Sequence, residues 1–367
     1  MRREAHSPPQ PAAIGDRFDS EARRTRYSRW LEQWEHKLAF RTTNRVVRPF
    51  EWGEDWSENW PGREMVSAGA EPGDYTEAWN RVAVERSDDF FRYERPRDFA
   101  LDGKILRFTS PVTTPHPNNN VATALWFPAE NSKGRAIVLV PHWNSHQGQY
   151  GTLAAIIRSL GISVLRLGLP YHDGRMPPEL QRADFAVSAN ICRTIDATRQ
   201  AIIDIRCCYD WLESQGFDRL GLLGISLGSC YGFMASAHDA RIATNVFTHC
   251  GDSFADIVWT GLSTRHVREG LERGISLERL REVWRVINPT TYVPKFAERP
   301  RKKSLLIYCK YDSTVHPKYS RRLICASRAA GIDLASAALP CSHYTMGETP
   351  FKYMAGYHMC SFLRRYL

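Results

Sequence analysis

From residue 105 onward the chain alternates short, continuously apolar runs with longer segments of helical periodicity, and this restricts the fold more than any other feature. Strand-like runs lie at 105–108, 122–127, 136–140, 163–167, 220–223, 242–247, 305–309 and 334–339. A run apolar at every position, rather than at every second one, suits a strand buried on both faces of a parallel sheet. The clearest helical segment is 189–212, with Ile191, Ile195, Ile202, Ile205, Tyr209 and Leu212 on one face and Gly216 as a stop signal. Strand and helix in alternation, joined by right-handed crossovers, predict an α/β fold with a doubly wound, mostly parallel sheet. Such sheets hold their sites at the carboxyl ends of the strands, so the residues after each run are where chemistry is expected.

The first hundred residues read differently. Residues 1–20 are polar and Pro-rich, an expected mobile arm. Residues 21–41 carry Tyr27, Trp30, Leu31, Trp34 and Leu38 at helical spacing. Residues 49–73 set Trp52, Trp56 and Trp60 among Gly, Pro and acids, which predicts an aromatic layer packed on the core. The expected division is an N-terminal extension, 1–104, and one large α/β domain, 105–367, a size that a single core of this class accommodates.

Composition narrows the function classes. No stretch approaches the roughly 18 consecutive apolar residues that span a bilayer, and the opening MRREAHSPPQPAAIGDRF has no apolar h-region, which argues against a secretory signal. The nine cysteines are odd in number and sit mostly inside apolar runs without a C-x-x-C pair. They read as buried thiols in a reducing cytoplasm rather than a disulfide framework. The net charge of +9 comes from 40 Arg and 9 Lys against 40 acids. The cations are interleaved with acids, with small clusters at 23–29 and 299–303, and lack the dense, aromatic-laced stripe of a nucleic-acid footprint. No nucleic-acid partner is expected, and the oligomeric state is left open.

The run 220–223 is followed by Gly224-Ile225-Ser226-Leu227-Gly228 and a second helix-like segment. A serine in a tight strand-to-helix turn needs small residues two positions away on each side, because side chains there collide with the adjoining strand and helix. The turn lifts the hydroxyl above the sheet and aims a helix N-terminus at it. A hydroxyl needs a base, and a neutral imidazole needs an acid to fix its tautomer. Asp312 follows the run 305–309 and His343 follows the run 334–339.

Serine, aspartate and histidine in this order, each just past a separate strand, resemble the α/β-hydrolase superfamily, in its dienelactone-hydrolase-like and prolyl-oligopeptidase-like branches, over residues 105–367. The resemblance implies Ser226 as nucleophile, His343 as general base and acid, and Asp312 as orienting acid. Asp252, after the preceding strand, is a rival acid, and His316 and His249 are rivals to His343. One oxyanion donor would be the amide of Leu227; the other belongs to the loop after 136–140, where the family's His-Gly is replaced by His142-Trp143, leaving Trp143 and Asn144 as alternatives. His142, Asn144 and His146 lack a third strong ligand, so no metal is expected. Tyr171 and His172 either line the acyl pocket or brace their loop, and the insertion 253–303, with Trp259 among its apolar residues, is expected to form a lid.

The implied activity is hydrolysis of a small-molecule carboxylic ester, or else a thioester or amide, through an acyl-enzyme and without cofactor. A peptidase or acyltransferase on the same triad, and a non-catalytic binding module of the same fold, are the alternatives.

Overall fold

The computed structural model describes residues 25–42, 44–67, 69, 71–298 and 302–367. The arm expected over 1–20 lies outside the described residues.

Among the described residues nine strands form one sheet: β1 (Ala100–Asp102), β2 (Ile105–Thr109), β3 (Val121–Phe127), β4 (Arg135–Val140), β5 (Ser163–Leu167), β6 (Arg219–Ile225), β7 (Ile242–Thr248), β8 (Lys303–Cys309) and β9 (Leu334–Leu339). Their spatial order is β1-β2-β3-β5-β4-β6-β7-β8-β9. The pairings from β1 to β5 are antiparallel and those from β5 through β4 to β9 are parallel. Eight strands coincide with the apolar runs to within two residues at either end. β1 was missed because it is three exposed residues at the edge, with no apolar pattern to mark it.

The continuous apolar runs follow from burial on both faces. Along β4, Ala136, Val138 and Val140 enter one core with the helices Ile191–Ser214 and Leu227–His238, whereas Ile137 and Leu139 enter the opposite core with Gly151–Ser159 and Phe351–Tyr366. Successive side chains alternate sides, so a strand covered twice has no polar face to show. The antiparallel β3, nearer the edge, alternates buried and half-buried residues as a one-sided strand should.

Of the described residues before 105, β1 belongs to the sheet and the others pack onto it. The helix Arg26–Ala39 buries Leu31, Glu35, Leu38 and Ala39, so a carboxylate sits inside the apolar stripe, while Trp30 faces outward at 49% exposure. The Trp60 and Trp79 rings meet at 4.3 Å between centroids with planes tilted by 36°, and the Trp60 indole N–H donates to the buried Asp196 carboxylate of the long helix at 2.8 Å. The described part of the insertion between β7 and β8 includes four short α-helices, Phe254–Thr260, Arg265–Leu271, Leu277–Val283 and Val293–Ala297, whose Leu271, Leu280, Val283 and neighbouring Trp284 are fully buried. Seven of the nine cysteines are buried free thiols, Cys360 is half-buried and Cys325 exposed. No described helix is long and apolar enough to cross a membrane.

Candidate active site

Ser226 joins β6 to the helix Leu227–His238 with φ 54° and ψ −116°, a backbone conformation costly for a residue bearing Cβ. The flanking glycines make the turn sterically feasible. A Cβ on Gly228 would lie 2.3 Å from the carbonyl oxygen of Val140 and 2.4 Å from that of Pro141; one on Gly224 would lie 2.7 Å from the Gly228 carbonyl oxygen. The turn therefore rests directly on the end of β4.

Three side chains meet above it. Ser226 Oγ lies 3.1 Å from His343 Nε2, and His343 Nδ1 lies 2.9 Å from Asp312 Oδ2. An ionised carboxylate only accepts, so Nδ1 carries the imidazole proton and Nε2 is left to accept from the serine hydroxyl. Asp312 is itself fully engaged: Oδ1 accepts the amides of Thr314 at 2.8 Å and Val315 at 2.7 Å. Burial opposes its charge, yet the charges and hydrogen bonds of His343 and His249 hold the carboxyl well below its ordinary pKa. For His343 burial again opposes the charged form, and Asp312, by charge and hydrogen bond, with Glu35 beyond it, holds the imidazole above its ordinary pKa.

The sequence rivals occupy other stations. Asp252 forms an ion pair with Arg322, Oδ2 to Nε 2.7 Å. His316 precedes the helix Pro317–Ala329 with its ring against Tyr319. His249 is a different case: its Nδ1–H donates to the same Asp312 Oδ2 at 2.8 Å, and its ring lies 4.1 Å from that of His343. Burial, and then the charge of His343, push its pKa down, so His249 is a neutral second donor to the shared carboxylate. His249, Asp312 and His343 bring three potential metal-ligating atoms within 4.8 Å of one another. In the hydrogen-bonded arrangement both Nδ1 atoms present protons to Asp312, and a metal there would have to displace them and break the link from Asp312 to His343.

In the loop after β4, Asn144 rather than Trp143 adopts the left-handed backbone, φ 61°, which asparagine tolerates well. The Asn144 amide donates to His172 Nε2 at 2.9 Å, and its side-chain oxygen accepts the Ala183 amide at 2.8 Å. That engagement removes the Asn144 amide from the pair of candidate oxyanion donors. The Trp143 indole N–H anchors the loop to the Ala183 carbonyl at 2.8 Å. Neither the Trp143 nor the Leu227 amide makes a hydrogen bond among the described residues. His142 is hydrogen-bonded to the Tyr150 hydroxyl, and burial pushes its pKa down to about 3.

A cavity of about 1020 Å³ opens beside Ser226, His343 and Leu227. Its wall is mostly apolar, with Leu153, Ile156, Val258, Met346 and Met359 contributing, and the helix Arg26–Ala39 adds Leu38 and Ala39. Tyr171, His172 and Trp259 are not among the residues that line this cavity. His172 is a loop brace: its Nδ1–H donates to the Pro170 carbonyl at 2.8 Å while Nε2 accepts from Asn144, and burial lowers its pKa to about 4. Tyr171 is fully buried between His116 and Phe185, its amide donating to Asn119 Oδ1. Trp259 lies outside the wall and carries the Arg268 guanidinium over its ring at 5.6 Å, whereas Ile257 and Val258 beside it do line the cavity.

Sequence reasoning missed Glu35. Its Oε1 accepts the main-chain amide of His343 at 3.1 Å, and its Oε2 is buried without a hydrogen-bond partner among the described residues. Burial, and the charge of Asp312, raise its pKa to about 7. The available signal was its position between Leu31 and Leu38 on the buried stripe, where a carboxylate needs a reason.

No family model and no curated protein matches the sequence. Among solved structures the chain is similar to an acylaminoacyl peptidase from Pyrococcus horikoshii, with a TM-score of 0.55 and 15% identity over 75% of this chain and 42% of that one. It is similar also to a Mycobacterium tuberculosis puromycin-hydrolysing peptidase, TM-score 0.53 and 14% identity over 75% and 48% of the two chains. An acetyl xylan esterase from Paenibacillus sp. R4 gives a TM-score of 0.55 and 12% identity over 83% of this chain and 98% of the esterase. The chain thus spans less than half of each peptidase and nearly all of the esterase. With the strand order, the turn at Ser226 and these likenesses together, the chain has the α/β-hydrolase fold.

Proposed function

We propose that the protein is a serine hydrolase that cleaves a small-molecule carboxylic ester through an acyl-enzyme. The observation that carries this reading is the continuous hydrogen-bonded chain from Ser226 Oγ through His343 to Asp312. In the cycle, His343 Nε2 takes the hydroxyl proton as Ser226 Oγ attacks the ester carbonyl, and Asp312 stabilises the imidazolium. The amides of Leu227 and Trp143 hold the developing oxyanion, since the Asn144 amide is engaged by His172. His343 then returns the proton to the leaving alkoxide, and water repeats the sequence on the acyl-enzyme to release the acid. The cycle calls on neither metal nor organic cofactor.

The apolar wall supports an acyl chain as occupant. Residues 253–303 serve in this reading as a lid whose Phe254, Ile257 and Val258 face the substrate, and the extension 1–104 completes the site from the other side through Glu35 and Leu38. The test is labelling with a fluorophosphonate probe followed by mapping of the adduct. Labelling of native protein at Ser226, abolished in Ser226→Ala, is expected; no adduct on native protein, or labelling unchanged by the substitution, overturns the assignment.

A further inference from the structure

The wall of the cavity beside Ser226 carries four cationic side chains, Arg41, Arg45, Arg182 and Lys352, and no aspartate or glutamate among the described lining residues. Two arginines away from the cavity show full compensation: Arg241 is shared by Asp210, Glu213 and Asp239, and buried Arg175 is matched by Asp204. At the cavity the balance differs. Asp184 is divided between Arg48 at 3.4 Å and Arg182 at 3.5 Å, and Arg45 forms no ion pair with a described carboxylate. Burial and the charges of Arg182 and Arg265 act against the charge on Arg45, and only the neighbouring Tyr344 hydroxyl favours it.

The hydrogen-bonding inventory shows the same surplus. Arg45 Nε and Nη1 and both ring nitrogens of His266 are buried without a hydrogen-bond partner among the described residues, while Arg45 Nη2 donates to the Ala39 carbonyl at 2.5 Å and Arg182 Nε faces Asp184 Oδ1 at 3.5 Å. His266 is only 6% exposed. Its ring stacks on that of Trp143 with centroids 5.8 Å apart and planes 3° from parallel, and the Arg182 guanidinium lies 5.5 Å from the same indole. Trp143 in turn lines the cavity next to Ser226. Folding that strips water from several guanidinium and imidazole nitrogens without giving them an acceptor is unfavourable, and crowding like charges adds to it. An anion would satisfy both deficits, and a planar guanidinium matches the two oxygens of a carboxylate.

We propose that Arg45 and Arg182, with His266 beside them, form a carboxylate-binding subsite, and that the substrate is an ester whose acyl chain is apolar along its length and carries a carboxylate. This rests on the ester-hydrolase reading of Ser226, and names the substrate class of that site. Arg45 belongs to the extension and Arg182 to the segment between β5 and the long helix, so the subsite exists only where the two are packed together.

The test separates binding from catalysis. Monophenyl adipate and phenyl hexanoate share a six-carbon acyl chain and differ by the terminal carboxylate, and calorimetry on Ser226→Ala measures their binding without turnover. The adipate is expected to bind about tenfold or more tightly at low salt, because a desolvated charge pair adds to the shared apolar contact. The preference is expected to fall toward one in Arg45→Gln or Arg182→Gln on the same background. It should also fall in the parent at about 0.5 M salt, an arm that requires no arginine variant to fold. Binding of the adipate no tighter than the hexanoate overturns the subsite. Turnover by native protein is the separate arm: a clear preference for the adipate in binding, with neither ester hydrolysed, leaves the subsite standing and overturns the hydrolase reading.

Discussion

Glu35 accepts the main-chain amide of His343 at 3.1 Å, across 308 residues of sequence. The amino-terminal helix thereby touches the loop that presents the imidazole to Ser226, and it does so with a carboxylate that is 1% exposed. A buried acid with one oxygen unpartnered is unfavourable in its charged form, and its neighbour Asp312 makes it more so. What the helix Arg26–Ala39 contributes is therefore a titratable group as well as packing.

The acid limb of activity reports this arrangement. His343 must be neutral to accept the serine proton, and its pKa stands above its ordinary value of 6.5. Activity is then lost as pH falls through that raised value. The pH profile of kcat/KM for an ester substrate is expected to show an acid-limb pKa above 6.5. Glu35→Gln removes a negative charge that favours the imidazolium and is expected to move the limb to lower pH. An unmoved limb would mean that Glu35 acts on the loop without acting on the proton.

The same substitution has a stability signature of definite sign. Glu35 titrates near pH 7 in the folded protein against an ordinary value of 4.5, so the native state holds its proton more tightly than the unfolded chain. Its favourable contribution is complete below the ordinary value and is lost as pH rises through 7. Glu35→Gln keeps an acceptor for the His343 amide and is expected to raise Tm at pH 8 more than at pH 5, by an amount worth up to roughly 3 kcal/mol. Thermal denaturation at the two pH values checks it.

The two aspartates are expected to separate cleanly. Asp312→Asn leaves an amide that presents the wrong hydrogen-bonding face to His343 and is expected to lower kcat by about 10⁴-fold. Asp252 is paired with Arg322 rather than with an imidazole, and Asp252→Asn is expected to cost less than about tenfold, the effect of a partly exposed ion pair. The reverse order of the two effects would make Asp252 the triad acid.

His249 and His343 both donate to Asp312 Oδ2, but His343 is the one hydrogen-bonded to the serine hydroxyl. His343→Gln is expected to remove about 10⁴-fold or more from kcat, as loss of the base does. His249→Phe removes one charge-assisted donor to the carboxylate and is expected to cost about tenfold. Steady-state kinetics of the pair distinguishes the base from the supporting donor.

Gly228 carries the tightest contact of the Ser226 turn. A methyl group there meets two main-chain oxygens at the end of β4, which cannot rotate away, so Gly228→Ala is expected to cost about 3 kcal/mol or more and to lower Tm by several degrees. Gly356 lies inside a helix with open space where its Cβ would be, and Gly356→Ala is expected to stabilise by about 0.5–1 kcal/mol. Equal effects at the two sites would refute the steric account of the turn.

What was legible in the sequence was local. A strand covered on both faces must be apolar at nearly every position, so eight of the nine strands could be read from their own residues. A serine between strand and helix needs Gly224 and Gly228 whatever surrounds it, and the order Ser226, Asp312, His343 is a property of the chain. Tertiary structure decided which distant segments meet and which polar groups satisfy one another. It put Glu35 behind His343, gave Asp312 a second imidazole from His249, and engaged the Asn144 amide on His172. It drew Tyr171, His172 and Trp259 away from the cavity and brought Arg45 and Arg182 to its wall. Apolar periodicity records how much of an element is covered; a hydrogen bond or a charge imbalance between residues hundreds of positions apart leaves no period in either segment, and exists only once the sheet has brought them together.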